Sequence, residues 1–389
     1  MSSEVGVRVG GARTEADLAA GGSREQLRLV VRLWLVSRLL LAVVAVLAML
    51  TQRRTLRQVL SAWDVAHFEA IARNGYAETI DRAFFPALPL LLRAAGQMGL
   101  PMYLSGAVLA LGCSLLAALA LLRLGGPVAA GLWLFAPTTV FTAVAYTEAP
   151  FCALAFWAWE RATRGRWAQA ALLAALASGF RISGLFLVGG LGLLALTRSG
   201  VPWSRRLVHA ALAALGVVGV LAYFAWLHHL TGSWSAWFDA QAAGWNRGFY
   251  SPLDSLRHTL EAGAPSRWPD RPSVAWVFRA EVVSMLVGAV VTLVLLVRRR
   301  WAQAGYVGVQ VFAFATSYWF MSVNRAVLLW FPLWLLVAEL ARRGWPGAQG
   351  REPGRGSLVA RGLVLAFGVV SLAAAVWWAW LYFTGAWAS

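Results

Sequence analysis

Apolar runs long enough to cross a bilayer recur along nearly the whole of this chain, and no other feature limits its fold so strongly. A hydrocarbon core of roughly 30 Å takes about 20 apolar residues per helix. Inside it every backbone polar group needs a protein partner, which leaves helices as the natural spanning element. With 60% hydrophobic residues, 22 Trp and a mean hydropathy of +0.64 over 389 residues, the chain reads as an all-α polytopic membrane protein. A soluble domain hung on one anchor is excluded, because the apolar runs are spread throughout.

The charge has to be read inside that frame. The formal net charge is +17, and all 34 basic residues are Arg. They stand mainly in short clusters between apolar runs, where orientation in the membrane accounts for them, so nucleic acid is not an expected partner. A lack of Lys with abundant Ala, Gly, Leu and Val points to a bacterial genome rich in G and C. Cys113 and Cys152 both lie within apolar runs without a CxxC or His-rich neighbourhood, so neither a disulfide nor structural zinc is expected. Residues 1–26 are polar and rich in Gly and Ala, with no apolar core of the signal-peptide kind. They are expected to form a disordered cytoplasmic tail before a single integral membrane domain over 27–389.

The expected spans are 27–50, 103–123, 127–145, 148–162, 167–180, 184–197, 206–229, 277–297, 302–320, 325–341 and 358–383, about eleven in all. Those at 148–162, 167–180 and 184–197 are too short to cross untilted, and belong inside the bundle or beside a cavity. Arg24, Arg28 and Arg32 favour a cytoplasmic N-terminus, Arg53, Arg54 and Arg57 oppose it, and later clusters at 160–166, 197–206, 298–300 and 341–356 decide for it. Residues 51–101 then form a first outer loop, 230–276 a second large outer loop and 342–357 a cytoplasmic loop. Within the first, 63–74 is expected as an amphipathic interfacial helix with Trp63, His67 and Ile71 on one stripe, and 84–98 as a second, apolar one. The expected location is the plasma membrane.

Several polar residues interrupt the outer side of this arrangement. Asp64 and His67 are three apart, so on a helix a carboxylate and an imidazole share a face and suit acid and base work; helix capping is the plainer role for Asp64. Tyr146, Thr147 and Glu148 stand where one apolar segment ends and another begins, a position that also suits a cap and a helix dipole. Arg181 and Arg325 each sit between two apolar segments, where an Arg either snorkels or meets an anion, and a guanidinium fork fits a phosphate. FDAQAAGWNRGF (238–249) carries Gln241, Trp245, Asn246 and Arg247, an aromatic platform with planar donors of the kind that holds sugars. His228 and His229 diverge on a helix and are poor metal ligands. Neither a Walker A sequence, a GxGxxG nor a GxSxG elbow is present.

WDVAHFEAIARNGY (63–76), AFFPALPLLLR (83–93), APTTVFTAVAYTEAPF (136–151), GFRISGLFLV (179–188) and NRAVLLWFPLWLLVAEL (324–340) together resemble the PIG-V family. These are polytopic mannosyltransferases within the type C glycosyltransferases, and the resemblance runs over about residues 30–345. It implies a type C-like bundle with interfacial helices in the first outer loop, and a polyprenyl-phosphate-mannose donor. Asp64 is then the catalytic base with His67 beside it, and the active site faces outward. Arg181, Arg325 and Arg247 are expected at the donor phosphate, and Trp63, Tyr146, Glu148, Gln241, Trp245 and Asn324 against substrate. The implied reaction needs no cofactor, the site set contains no metal ligands, and the sequence leaves a divalent metal open. The acceptor stays open as a lipid, glycan or protein. A lipid or sugar transporter or flippase without transferase activity is the alternative from another class, and a non-catalytic partner of a membrane enzyme is a third.

Overall fold

The computed structural model describes residues 15–344 and 355–388, with side chains over 23–344 and 356–388. Among the described residues there is no strand. The first helix, α1 (Glu15–Gln52), begins inside the segment expected as a tail, while residues 1–14 lie outside the described ones. Its Val30, Ser37, Leu41, Val44 and Ala48 are buried, a helical stripe facing the bundle.

A short α2 (Leu56–Leu60), closed by a capping box between Thr55 and Gln58, leads to α3 (Asp64–Asn74), α4 (Ala87–Gln97), α5 (Met102–Gly125) and α6 (Pro127–Leu134). The central helices are α7 (Glu148–Thr163), α8 (Trp167–Ser178), α9 (Ser183–Leu196), α10 (Trp203–Ala214) and α11 (Val218–Thr231). The second large loop folds into α12 (Ala236–Trp245) and α13 (Pro252–Ala262). The chain continues through α14 (Pro272–Val297), α15 (Trp301–Ala315), α16 (Val323–Ala326), α17 (Phe331–Gly344) and α18 (Arg355–Thr384).

Among the described residues, five helical stretches are long and apolar enough to cross a membrane: Ser23–Gln52, Met102–Gly125, Trp203–Thr231, Pro272–Val297 and Gly356–Thr384. A sixth is available if Val323–Leu329 and Phe331–Gly344, bent by 68°, count as one broken span. Pro332 in the first turn of α17 explains that bend, because it has no N–H to continue the preceding helix. The expected span at 127–145 is not a continuous helix: α6 has eight residues and is followed by a 3-10 turn over Thr139–Thr142. The α7, α8, α9 and α15 helices have 16, 12, 14 and 15 residues. Three of these are the segments that the sequence marked as too short to span.

Close packing holds the interior together. The Ala-rich face of α5, with Ala107, Ala110, Ala117 and Ala120 buried, lets α7 approach, while Trp133, Phe156, Trp159, Tyr306, Phe331 and Trp334 fill the space beyond it. In α3 the buried residues are Val65, Phe68, Ile71 and Ala72 together with Glu69. The stripe expected through Trp63 and His67 is therefore rotated: Trp63 is exposed and precedes the helix.

Charge gathers at two ends of the bundle. At one, Glu160 near the end of α7 is met by Arg123, Arg161 and Arg164 at 3.4, 3.2 and 2.6 Å, and Glu339 by Arg298 and Arg300 at 2.7 and 2.6 Å. Glu148 begins α7 at the other, about 18 Å away along a helix rising 1.5 Å per residue.

Candidate active site

Four charged side chains from four separate segments meet at the Glu148 end. Asp64 is the first residue of α3, placed there by Trp63, whose φ of 56° lies in the left-handed region that a bulky side chain rarely enters. Strain of this kind costs about 1–3 kcal/mol and persists only where neighbours over-determine it. Here Trp63 Nε1 donates to Ala386 O at 3.1 Å, and the Asp64 N–H donates to Tyr146 Oη at 3.2 Å.

Arg325, on the four-residue α16, joins the acids. Its Nη1 lies 2.9 Å from Asp64 Oδ2, while Nε and Nη2 lie 2.8 and 2.7 Å from Glu148 Oε1. The guanidinium carbon stands 5.0 and 4.7 Å from the ring centres of Phe141 and Tyr146, so aromatic faces support the cation where the carboxylates do not. Glu148 Oε1 also accepts from Arg181 Nη1 at 2.9 Å, and the same nitrogen donates to Thr147 Oγ1 at 2.7 Å. Two carboxylates and two guanidinia thus form one continuous, formally neutral chain.

Not all of their polar atoms are used within the protein. Among the described residues, Asp64 Oδ1 and the Nε and Nη2 of Arg181 have no hydrogen-bond partner, and both side chains keep about a fifth of their surface exposed, 20% and 19%. Arg247 joins from the second large loop. It donates from Nη2 to Met321 O at 3.3 Å and stacks over Phe314 at 5.6 Å. Burial, with the fields of Arg181 and Arg325, lowers its pKa to about 10, which leaves it charged at neutral pH.

The remaining expected residues divide into surroundings and support. His67 does not hydrogen-bond Asp64; its Nδ1 faces Asp81 Oδ1 at 3.4 Å, and its ring stacks on Phe84 at 5.0 Å. Gln241 Nε2 reaches Ala83 O at 3.4 Å and Trp245 packs on Phe84 at 5.5 Å, so the 238–249 stretch closes over the turn that holds Asp81. Tyr146, Glu148 and Asn324, expected against substrate, are almost fully buried and lie beneath the exposed atoms instead. Arg325, expected at a phosphate, has its three side-chain nitrogens engaged by the carboxylates of Asp64 and Glu148 instead.

Three residues that the sequence did not single out complete the arrangement. Asp81 is a buried acid in the first loop, legible only as an unexplained carboxylate in TIDRA. Arg38, buried within α1, donates to Thr142 O, Thr142 Oγ1 and Thr139 Oγ1 at 3.2, 2.8 and 3.0 Å, tying the turn that carries Phe141 to the first span. Its position between Ser37 and an apolar run was the available signal. Glu281, fully buried in α14, accepts from the backbone N–H groups of Ser322 and Asn324. Among the described residues, no three His, Cys, Asp or Glu converge in a metal-holding group.

An apolar cleft of about 400 Å³ lies between α3, α4 and α11, lined by Tyr76, Pro86, Leu90, Ala222, Tyr223 and Trp226. Gly219 in the cleft wall packs against Gly179, whose carbonyl accepts from Ala87 N at 3.1 Å. Gly179 is two residues before Arg181.

No family model matches the chain. It is similar to curated proteins named GPI alpha-1,6-mannosyltransferase 2. The Mus musculus protein is 39% identical over an alignment of 149 residues that covers 33% of this chain and 30% of the relative. The Rattus norvegicus protein is 39% identical and the Homo sapiens protein 38% identical over the same shares. The match thus spans about a third of the length of these relatives.

Proposed function

Starting from a chain that is PIG-V-like over a third of its length, we propose that it is an integral membrane mannosyltransferase that takes mannose from a polyprenyl-phosphate carrier. The observation that carries this reading is the state of Asp64: one oxygen is held by Arg325, while the other is unpartnered and partly exposed. A carboxylate oriented in that way is ready to accept a proton.

The proposed reaction is a single displacement at the anomeric carbon with inversion. The acceptor oxygen bonds to that carbon and its proton passes to Asp64 Oδ1, as the bond from the carbon to the phosphate oxygen breaks. The departing polyprenyl phosphate keeps the electron pair, and its charge is met by the Nε and Nη2 of Arg181, with Arg247 beside them. The apolar cleft between α3, α4 and α11, whose wall residue Gly219 packs against Gly179, suits the hydrocarbon chain of such a donor. The acceptor is a lipid-linked sugar, a glycan or a protein, of which the first, a glycolipid, fits the relatives' name. The active site faces outward in the plasma membrane, and the bundle belongs to the type C class.

The test is transfer of labelled mannose from polyprenyl-phosphate-mannose to a membrane acceptor extract by the purified, reconstituted protein. Asp64→Asn and Asp64→Ala are expected to lower kcat by about 100- to 10,000-fold. Undiminished transfer in both variants removes the base assignment, and no transfer by the wild type from any lipid-linked sugar removes the enzyme reading.

A further inference from the structure

Arg325 reaches both acids from α16, a helix of four residues that cannot hold its own position, since its backbone can close scarcely one internal turn. Its first residue follows Ser322, which at φ 70° occupies the left-handed region. Such a segment needs an outside anchor.

Glu281 supplies one. Oε1 accepts from Ser322 N at 2.9 Å and Oε2 from Asn324 N at 2.7 Å, so both carboxylate oxygens grip the backbone at two positions within three residues of Arg325. Asn324 is fixed further by its side chain, which donates to Val277 O at 3.2 Å and accepts from Ser284 Oγ at 2.8 Å, and by its carbonyl, which accepts from Thr138 Oγ1 at 2.9 Å. Val277, Glu281 and Ser284 lie three and four residues apart, on one face of α14. A carboxylate fully buried in an apolar span is costly and calls for a function.

We infer that Glu281 is a positioning residue for the reaction: it fixes α16 so that Arg325 holds Asp64 with its free oxygen turned toward the acceptor. The route is short and continuous, from Glu281 to the backbone at 322 and 324, through the Arg325 side chain, to Asp64 Oδ2. Its catalytic part rests on the function proposed above. Because Arg325 meets Asp64 and not the donor, loosening it impairs proton transfer in the transition state more than donor binding.

Glu281→Gln keeps the shape but replaces one acceptor with a donor, so one of the two backbone N–H groups loses its partner. Hydrogen exchange of the detergent-solubilised protein is expected to speed up at least tenfold at the amides of 322–325, and also at Asp64, Val65 and Ala66. In the transfer assay kcat should fall at least tenfold, with donor KM within twofold of wild type. Faster exchange confined to 322–325, or an unchanged kcat, overturns the inference and leaves Glu281 as a local cap. Should Glu281→Gln not fold, Arg325→Lys takes its place. It should loosen the amides of 64–66 while 322 and 324 stay protected, and unchanged exchange at 64–66 breaks the proposed route. If the wild type transfers no mannose, the exchange results still decide the coupling, while the enzyme reading fails by itself.

Discussion

Arg325 touches Asp64, Glu148, Phe141 and Tyr146, so its removal exposes each of them to a different fault. Taking one partner from a buried ion pair costs about 3–5 kcal/mol, because the remaining charge stays buried. Arg181 still faces Glu148, so Arg325→Met is expected near the lower end, at about 3 kcal/mol, read as a fall in thermal midpoint in detergent. Adding Glu148→Gln to that variant should recover part of the loss without restoring transfer. Arg181 sits differently, with its Nε and Nη2 without a partner among the described residues. Arg181→Lys loses the planar fork while keeping the charge, and donor KM should rise roughly tenfold with a smaller change in kcat. A larger effect on kcat than on KM would place Arg181 at the reacting bond instead of at the ground-state phosphate.

At the scale of elements, the site depends on tight turns between short helices. The turn from α8 to α9 carries Arg181, and Gly184 packs so closely on Ser178 that a Cβ there would overlap the Ser178 backbone. Gly184→Ala should therefore wedge the two helices apart, cost about 1–3 kcal/mol and carry Arg181 away from Glu148. Unfolding in detergent and the transfer assay read the two effects separately. A full-stability variant with wild-type transfer would show that this turn can move without moving the guanidinium. The beginning of α3 depends on a comparable constraint, since Trp63 must hold a positive φ for Asp64 to start the helix under Tyr146.

For the whole molecule, the two charged ends define a direction. The proposed orientation places the Asp64 end and the 230–276 loop outside, and the Arg298–Arg300 turn in the cytoplasm. Phe249 is 84% exposed at the first end, and Arg299 is exposed at the second. In a Cys113→Ala background, an impermeant thiol reagent applied to intact cells should label Phe249→Cys at once, and Arg299→Cys only after permeabilisation. The opposite pattern would invert the topology, and with it the face on which a donor must be presented.

The amino-acid sequence by itself determined that this chain is a helical membrane protein, where helices such as α5, α7, α8 and α9 begin and end, and that Asp64, Glu148, Arg181 and Arg325 are out of place among apolar residues. It could do so because apolar length, Pro and Gly positions and intramembrane charge are local properties of the chain. It overstated the number of helices able to span on their own, because a composition window does not register the break after α6 or the 68° bend at α17. Only the tertiary structure decided which charge meets which. His67 turns to Asp81 and not to Asp64, Arg325 is taken up by two acids, and Glu281 reaches α16 across 41 residues of chain. Such pairings depend on how short helices cross in space, and nothing in the spacing of residues along the chain encodes that crossing.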